Sequence, residues 1–285
     1  MNERKKNKNI FVRVFTSKFF WLVIVFLLAL MAVLYYASVE IEKARSTYSG
    51  LPEEGGYPYS TIKSEGFYRD EYNFLAYEDE EYYTRRGIDV SEHQGEIDWE
   101  KVAESGVQFA MVRLGYTGNN TGEMNLDAWF EVNVKNARKA GIDVGVYYFA
   151  QARTVEEAIA EAQFVCKNLR GKNINMPVVF DMEPLTNTED DRIHGLTMIE
   201  VTEIADAFCE VVEKHGYEAL IYGNPSWIYS RYNLSLLTSR KLWLAHYTEF
   251  SGFPYKYEFW QYTDSGSIEG IETDVDLDLQ FVKKD

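Results

Sequence analysis

One stretch decides the fold of this chain: Pro177-Val178-Val179-Phe180-Asp181-Met182-Glu183-Pro184. It is an apolar, β-branched run of the kind that forms a buried strand, and it ends in two carboxylates and a proline. Because side chains alternate along a strand, Asp181 and Glu183 share one face, while Phe180 and Met182 take the other. Two neighbouring acids at the end of a buried strand repel each other, and hydrolysis of a glycosidic bond needs such a pair. The alternative is a strand end where both acids simply face water.

The sequence on both sides of this stretch alternates between strand-like and helical segments. The eight expected strands are 87–90, 107–114, 142–149, 176–182, 218–222, 241–245, 257–262 and 275–279. The expected helices are 99–104, 130–139, 155–169 and 197–215. Thr154 and Glu157 form a capping box for the third helix, and Gly216 closes the fourth. The alternation predicts an α/β fold, an irregular (β/α) TIM-like barrel whose helices weaken toward the C-terminal half.

Side chains that can do chemistry recur near the ends of the expected strands. In a (β/α) barrel the active site lies at the C-terminal ends of the strands, so these side chains should converge. The residues are Asp89, Arg113, Tyr147, Tyr148, Asp181, Glu183, Tyr222, His246, Tyr247, Trp260, Gln261, Tyr262 and Asp276. Acids ringed by aromatics are typical of a sugar site. Each residue alone has an ordinary explanation, as a core aromatic or a solvated acid, and only the coincidence supports a site.

Composition and charge limit the possible partners. The chain has 285 residues and is 46% hydrophobic, which predicts one domain of ~200 residues with appendages. Residues 1–45 hold eight basic and three acidic residues, a net +5, so the total of −16 leaves −21 on residues 46–285. Nucleic-acid binding needs a basic surface, so this acidic body argues against it. A polymeric substrate would have to be bound by shape and hydrogen bonds.

The N-terminus predicts a membrane anchor. Residues 19–37 form a run without charge, about long enough to cross a bilayer as a helix, and six basic residues precede it. This predicts a single-pass cell-membrane protein with a cytoplasmic tail at 1–18, a transmembrane helix at 19–37 and an extracytoplasmic catalytic domain at 85–285. The alternative is a cleaved signal peptide, for which residues 37–39 offer only a poor cleavage site.

Residues 38–84 read as an acidic, tyrosine-rich linker or stalk. A breaker-rich stretch at 50–56 opens it, and regular periodicity is poor throughout. Two conformations remain open from the sequence. The segment could be a flexible stalk between anchor and catalytic body, or it could pack its aromatic rings onto that body.

The two cysteines and four histidines give no sign of a metal site. Cys166 and Cys209 lie on apolar faces of expected helices, where buried thiols are commoner than a disulfide, although an extracytoplasmic domain would permit one. The histidines are spread singly, without the spacing of a metal site, so we expect neither a metal nor a cofactor. Hydrogen-bonding roles are expected for His93 and His246.

Six sequence blocks resemble glycoside hydrolase family 25, the Chalaropsis-type lysozymes. The blocks are 87–95 (GIDVSEHQG) with 97–99 (IDW), 145–150 (GVYYFA), 181–183 (DME), 242–247 (LWLAHY), 259–263 (FWQYT) and 275–277 (VDL). The resemblance runs from about residue 86 to residue 281. The order and the spacing of the blocks carry it, since no single block is specific.

The resemblance implies a muramidase that cleaves the β-1,4 bond between N-acetylmuramic acid and N-acetylglucosamine in peptidoglycan. By similarity Glu183 is the general acid, and Asp181, Asp89 and Asp276 complete the acidic cluster. The expected substrate-binding residues are Arg113, Tyr147, Tyr148, Tyr222, His93, Trp243, His246, Tyr247, Trp260, Gln261 and Tyr262. Retaining, inverting and substrate-assisted routes remain open, and the resemblance favours attack by the substrate's own acetamido oxygen, oriented by Asp181.

Two other functions compete with a muramidase. One is a membrane-tethered wall-binding or scaffold protein that has lost catalysis, although the complete acidic set argues against it. The other is a glycosidase acting on a different amino-sugar polymer. A tethered muramidase would act on nearby wall, in remodelling or in local opening for a secretion or conjugation complex.

Overall fold

The computed structural model describes residues 25–27, 29–31, 33, 56–185 and 191–284. The chain divides into two compact units, Met1–Leu51 and Pro52–Asp285. The described residues of the first unit are helical. The second unit holds the sheet, the helices and the candidate site.

Eleven strands and five α-helices make up the described part of the second unit. The strands are β1 (Phe67–Arg69), β2 (Leu75–Tyr77), β3 (Tyr82–Val90), β4 (Phe109–Thr117), β5 (Met124–Leu126), β6 (Asp143–Phe149), β7 (Val178–Asp181), β8 (Ala219–Gly223), β9 (Lys241–Ala245), β10 (Phe259–Gly266) and β11 (Val275–Lys283). The helices are α1 (Trp99–Glu104), α2 (Phe130–Lys139), α3 (Val155–Leu169), α4 (Met198–Lys214) and α5 (Pro225–Arg231). Short 3₁₀ turns occupy Ser64–Gly66, Glu92–Gln94 and Leu234–Leu236.

Eight of these strands close into a barrel. The order along the sheet is β3-β11-β10-β9-β8-β7-β6-β4-β5, and pairing of β3 with β4 closes the ring. Strands β3 to β10 within the ring pair in parallel, whereas β11 is antiparallel to both of its neighbours. The short β5 extends β4 at one edge. The predicted barrel-like α/β fold is confirmed, and its irregularity at the C-terminal end is the reversed last strand.

The helices follow the capping signals of the sequence. Thr154 accepts a hydrogen bond from the Glu157 backbone at the start of α3, and Thr197 with Glu200 forms a capping box at the start of α4. Gly216, just past α4, has a φ of 87°, a left-handed conformation that suits glycine after a helix end. The apolar faces of these helices are buried against the outer face of the barrel, where one continuous core forms.

Residues 56–84 pack onto the barrel. Tyr57 and Tyr77 are buried, and the Tyr57 hydroxyl donates to the Arg240 carbonyl at 2.7 Å. The ring of Phe67 lies 5.4 Å from that of Trp260, centroid to centroid. For these residues the structure therefore selects the packed arrangement over the flexible stalk. The expected linker at 38–55 lies outside the described residues.

The expected membrane localisation is corrected. Among the described residues, no helix has both the length and the apolar character needed to cross a membrane. The single-pass cell-membrane localisation expected from the sequence is therefore contradicted by this finding. Most of residues 19–37, and all of the cytoplasmic tail expected at 1–18, lie outside the described residues.

The two cysteines are free and buried. Cys166 lies in α3 and Cys209 in α4, and both side chains belong to the core between barrel and helices. Burial raises the pKa of the Cys166 thiol to about 11. Both thiols therefore act as small apolar core groups.

Candidate active site

A cavity of about 250 Å³ opens at the mouth of the barrel, where the parallel strands end. Its walls combine carboxyl groups, aromatic rings, one guanidinium and one amide. The lining residues are Asp89, Arg113, Tyr147, Phe149, Asp181, Glu183, Tyr222, Trp243, Tyr247, Gln261 and Asp276. Ten of these eleven residues are among those expected from the sequence, and all four expected catalytic carboxyls are included.

Strand register brings the four carboxyl groups together. Asp181 is the last residue of β7 and pairs with Phe149 on one side and Tyr222 on the other. Asp89 lies opposite Asp276 across the β3–β11 pair. Because β11 runs antiparallel, its first residues lie at the rim where the other strands end. This reversal is why Asp276, close to the start of its strand, still reaches the cavity.

Glu183 lies two residues beyond the end of β7, in a segment held by the chain after β6. The Ala150 amide donates to the Asp181 carbonyl at 2.7 Å. The Gln151 side-chain amide donates to the Glu183 carbonyl at 2.9 Å. These two bonds continue the alternation of β7 past its end, so the side chains of Asp181 and Glu183 both face the cavity.

The cavity favours protonated carboxyl groups. Burial, followed by the charge of Asp276, raises the pKa of Glu183 to about 7. Burial and the nearby Asp264 raise the pKa of Asp276 to about 6. Burial and the charge of Glu183 raise the pKa of Asp181, against the lowering effect of Arg113. Water exclusion is thus the first cause in each case, and mutual repulsion adds to it.

Gln261 organises one wall of the cavity. Its amide nitrogen donates to Asp89 Oδ2 at 2.6 Å. Its amide oxygen accepts from the hydroxyls of Tyr222 at 2.8 Å and Tyr247 at 3.0 Å. Two donors on one side and a carboxylate acceptor on the other fix the orientation of this amide. The wall therefore presents Asp89 in a defined position.

Arg113 is the guanidinium of the cavity, and acidic neighbours already hold it. Its Nε donates to Asp127 Oδ2 at 2.8 Å and its Nη2 to Glu92 Oε1 at 2.9 Å. His93 lies 3.4 Å from Nη1, beside the cavity and outside its lining. The positive charge opposes the rise in the pKa of Asp181, but burial and the charge of Glu183 outweigh it.

Besides His93, four expected substrate-binding residues lie outside the lining of this cavity, although one of them, Tyr262, lines the larger groove described below. Tyr148 is 0% exposed and its hydroxyl bonds Thr117 Oγ1 at 2.8 Å on the outer face of the wall. Trp260 is equally buried and donates to the His246 carbonyl at 2.8 Å. Tyr262 shares the outer face with Trp260, and its hydroxyl accepts from the Leu75 amide at 3.4 Å. Side chains alternate along a strand. Because Tyr147 and Gln261 point into the cavity, their neighbours in the chain, Tyr148 beside the first and Trp260 and Tyr262 beside the second, point to the outer face.

His246 is the fourth of these residues. It follows the end of β9, and its Nδ1 lies 3.2 Å from Ser251 Oγ in the loop beyond. The hydrogen-bonding role expected for it is thus met by a loop contact, away from the cavity lining.

Two residues of the site were missed in the sequence. Phe149 lines the cavity two positions after Tyr147. Asp278 lies two positions after Asp276, is 0% exposed, and accepts from Trp243 Nε1 at 2.9 Å. The same alternation that pairs Asp181 with Glu183 could have found both, since residues two apart in a strand share a face.

A larger, more open groove of about 1020 Å³ adjoins the cavity through Tyr247. One of its walls comes from residues 69–74, which are fixed to the opposite side by an ion pair of 2.8 Å between Arg69 and Glu249. Its acidic residues, such as Asp264 and Glu269, are exposed. The smaller cavity, with its buried carboxyls, is therefore the candidate site of chemistry.

An α/β barrel with closely spaced carboxyl groups at its mouth is an arrangement that glycoside hydrolases use. Comparison with known proteins gives the family. The model of the family described as glycosyl hydrolases family 25 matches residues 88–271, and the chain belongs to this family. The family and the enzyme class predicted from the sequence are both confirmed.

Relatives and solved structures agree with this assignment. Lysozyme M1 of Streptomyces globisporus is 31% identical over 203 residues, covering 67% of this chain and 66% of that protein. The family 25 glycosyl hydrolase of Bacillus anthracis has a TM-score of 0.58 at 26% identity, covering 69% of this chain and 88% of its own. The modular autolysin LytC of Streptococcus pneumoniae has a TM-score of 0.65 at 23% identity, and the match covers 79% of this chain and 52% of LytC. At this identity the likeness is one of fold alone. This chain spans just under two thirds of the Streptomyces relative.

Proposed function

We propose that this protein is a peptidoglycan muramidase that hydrolyses the β-1,4 bond between N-acetylmuramic acid and N-acetylglucosamine. Membership of family 25 and the likeness to a lysozyme support the substrate class. One observation carries the reaction type: Glu183, with a pKa of about 7, faces the same small cavity as the buried Asp181. A carboxyl that keeps its proton near neutral pH, beside a second carboxyl in the same cavity, is the pair that glycoside hydrolysis needs.

Glu183 acts as the general acid. Its proton passes to the glycosidic oxygen while the bond from the anomeric carbon to that oxygen breaks, which leaves positive charge on the sugar. The carboxylate of Asp276 and the carboxyl of Asp89 face this position and stabilise the charge. Positioned acid catalysis of this kind contributes about 10²–10⁴-fold to the rate.

We assign the nucleophile to the substrate. The acetamido oxygen attacks the anomeric carbon, and Asp181 accepts a hydrogen bond from the acetamido N–H, which makes that oxygen more nucleophilic. Asp181 Oδ1 suits this role, because it is buried and has no hydrogen-bond partner among the described residues. Water, deprotonated by Glu183, then opens the cyclic intermediate and restores the acid.

The test compares the full chain with its Glu183→Gln variant on purified sacculi, with muropeptides identified by mass spectrometry. We expect the wild type to release fragments with reducing N-acetylmuramic acid ends, and the amide variant to be about 10²–10⁴-fold slower. Equal rates would remove Glu183 from the mechanism. Reducing N-acetylglucosamine ends would contradict the bond assignment.

N-deacetylated peptidoglycan tests the route. Without the acetamido group the substrate-assisted path has no nucleophile, so turnover should fall by the same order as in the amide variant. Full activity on this substrate would favour a direct attack by Asp181 or by water.

Two further outcomes of the same assays separate the alternatives. A wild type that binds sacculi without clearing them would favour the wall-binding scaffold. Activity on another amino-sugar polymer, with intact sacculi, would favour a glycosidase of different specificity. The proposed role in the cell is remodelling or local opening of the wall.

A further inference from the structure

Asp278 is a buried carboxyl group directly behind the catalytic cavity. It lies opposite Gln261 of β10 and opposite Gly87 of β3, and it is 0% exposed. Its Oδ1 accepts a hydrogen bond from Trp243 Nε1 at 2.9 Å. Its Oδ2 is buried, and no donor among the described residues bonds to it. Asp89, diagonal to it on β3, is close enough for a hydrogen bond between the two side chains.

Arg113 lines the same cavity as Asp89, but its guanidinium is already paired with Asp127 and Glu92. Asp276 faces both carboxyls from β11, and the phenol of Tyr147 faces Asp89 from β6. Gln261 contributes a neutral amide to Asp89. The largest effects on the pKa values of the two carboxyls come from burial and from acidic neighbours. Double ionisation of two adjacent, dry carboxylates without a cation of their own is strongly unfavourable.

We propose that Asp278 is a positioning residue whose Oδ2 shares one proton with Asp89. The shared proton satisfies the buried Oδ2 and fixes Asp89 between Asp278 and Gln261. The effect on turnover rests on the proposed muramidase function, whereas the shared proton does not.

Two roles follow for the shared proton. It keeps the buried pair at a single negative charge, which limits repulsion of the neighbouring Asp276. It also holds Asp89 toward the cavity, where the sugar carries positive charge in the transition state. Asp278 itself does not line the cavity, so it acts through Asp89.

The Asp278→Asn and Asp278→Ala variants together distinguish a positioning role for Asp278 from a simple packing role. The Asp278→Asn side chain has the same shape, its oxygen can accept from Trp243, and its NH₂ can donate to the Asp89 carboxylate in place of the shared proton. Asp278→Ala removes both bonds. The first variant should therefore keep kcat within about threefold, and the second should lose kcat by tenfold or more at little change in KM.

Infrared spectroscopy of the full chain at pH 9 detects the proton directly, through the carbonyl stretch of a buried carboxylic acid. The difference between wild type and Asp278→Asn should contain one such band. Asp276→Asn, two residues away in the same strand, is the matched control and should give no band, because the pKa of Asp276 is about 6.

The outcomes are independent of whether the cell-wall substrate is right. A missing band in the Asp278→Asn difference spectrum would overturn the proposal, even in an active enzyme. A band together with an asparagine variant as slow as the alanine variant would also overturn the positioning role. If the wild type fails to cut sacculi but the band is present, the muramidase function fails and the shared proton stands.

Discussion

The inner and outer faces of the barrel wall treat buried polar groups in opposite ways. On the inner face, Asp89, Asp181 and Asp278 lie together with few donors, and burial raises the pKa of each. On the outer face Glu161 of α3 is 2% exposed, yet Thr117 Oγ1 donates to it at 2.6 Å and the Gln151 amide at 3.0 Å. The inner face concentrates carboxyl groups for chemistry. The outer face holds its carboxyl for support through two bonds to Glu161 Oε1, although Oε2 has no hydrogen-bond partner among the described residues.

The two faces are connected through Gln151. Its backbone amide binds Glu161 outside, and its side-chain amide binds the Glu183 carbonyl inside. Arg192 adds a bond of 2.9 Å to the Gln151 carbonyl. Glu161 therefore supports the segment that carries the general acid, although it lies outside the cavity. The comparison predicts that inner changes affect rate and that outer changes affect stability.

The largest effect is expected on the inner face, from Asp181→Asn. The amide keeps the shape but cannot accept from the acetamido N–H as a carboxylate does, so kcat should fall about 10²–10³-fold. The melting temperature should not fall, because the change removes a buried carboxyl group whose ionisation is unfavourable in the folded state. Initial rates on sacculi and a thermal melt check both parts. A variant that melts much lower would show that Asp181 has a structural role as well.

Much of this inner face was predictable from the sequence. Alternation in β7 and convergence of strand ends sufficed to place Asp181, Glu183 and Asp89 in one site. Hydrophobic alternation does not reveal the direction of a strand, and this is why the antiparallel β11 was not foreseen. A parallel β11 would have placed Asp276 at the opposite rim, so its place in the expected acidic cluster rested on the family resemblance and not on the strand pattern.

The next effect concerns stability and Glu161. Burial raises its pKa from 4.5 to about 7. The folded state thus prefers the protonated form, so the stability that this group contributes is present below pH 4.5 and lost as the pH rises through 7, in total about 3 kcal/mol. Glu161→Gln and Glu161→Ala should both remove this part of the pH dependence, and Glu161→Ala, which also loses the hydrogen bonds and packing, should be less stable than Glu161→Gln at every pH by about 2–4 kcal/mol.

Urea unfolding at pH 5 and pH 8 measures these differences. The matched amide and alanine variants separate charge from hydrogen bonding and packing. Equal pH dependence in wild type and Glu161→Gln would contradict the assigned pKa of Glu161.

A smaller effect is expected on the pH dependence of kcat/KM. Activity should rise as Asp276 ionises near pH 6 and fall as Glu183 loses its proton near pH 7. From the optimum to pH 8 the loss should be about tenfold. Asp276→Asn removes a charge that raises the pKa of Glu183, so its alkaline limb should move to lower pH. An alkaline limb that stays in place would show that Asp276 does not act on Glu183.

The parts that the sequence did not predict share a physical reason. Residues 56–84 bury rings such as Tyr57 and Tyr77 at irregular spacing, so periodicity could not tell packing from a linker. Tyr148 and Trp260 belong to the same strands as true lining residues, and a position one residue away decides the face. The register of the strand decides whether each ring lies on the inner or the outer face of the barrel wall. The hydrophobic alternation leaves this register open at a strand end.

The smallest effect comes from two adjacent tyrosines on opposite faces. Thr117 donates its single hydroxyl proton to Glu161, so Tyr148 must donate to Thr117, and Tyr148→Phe breaks this chain at a cost of about 1 kcal/mol. Tyr147→Phe removes a hydroxyl from the cavity, where the ring packs edge-on at 6.1 Å from Trp243. We expect a several-fold loss in kcat/KM with an unchanged melting temperature for Tyr147→Phe, and the reverse for Tyr148→Phe. Rates and melts of both variants decide the matter, and the same response in the two would mean that the wall does not separate chemistry from support.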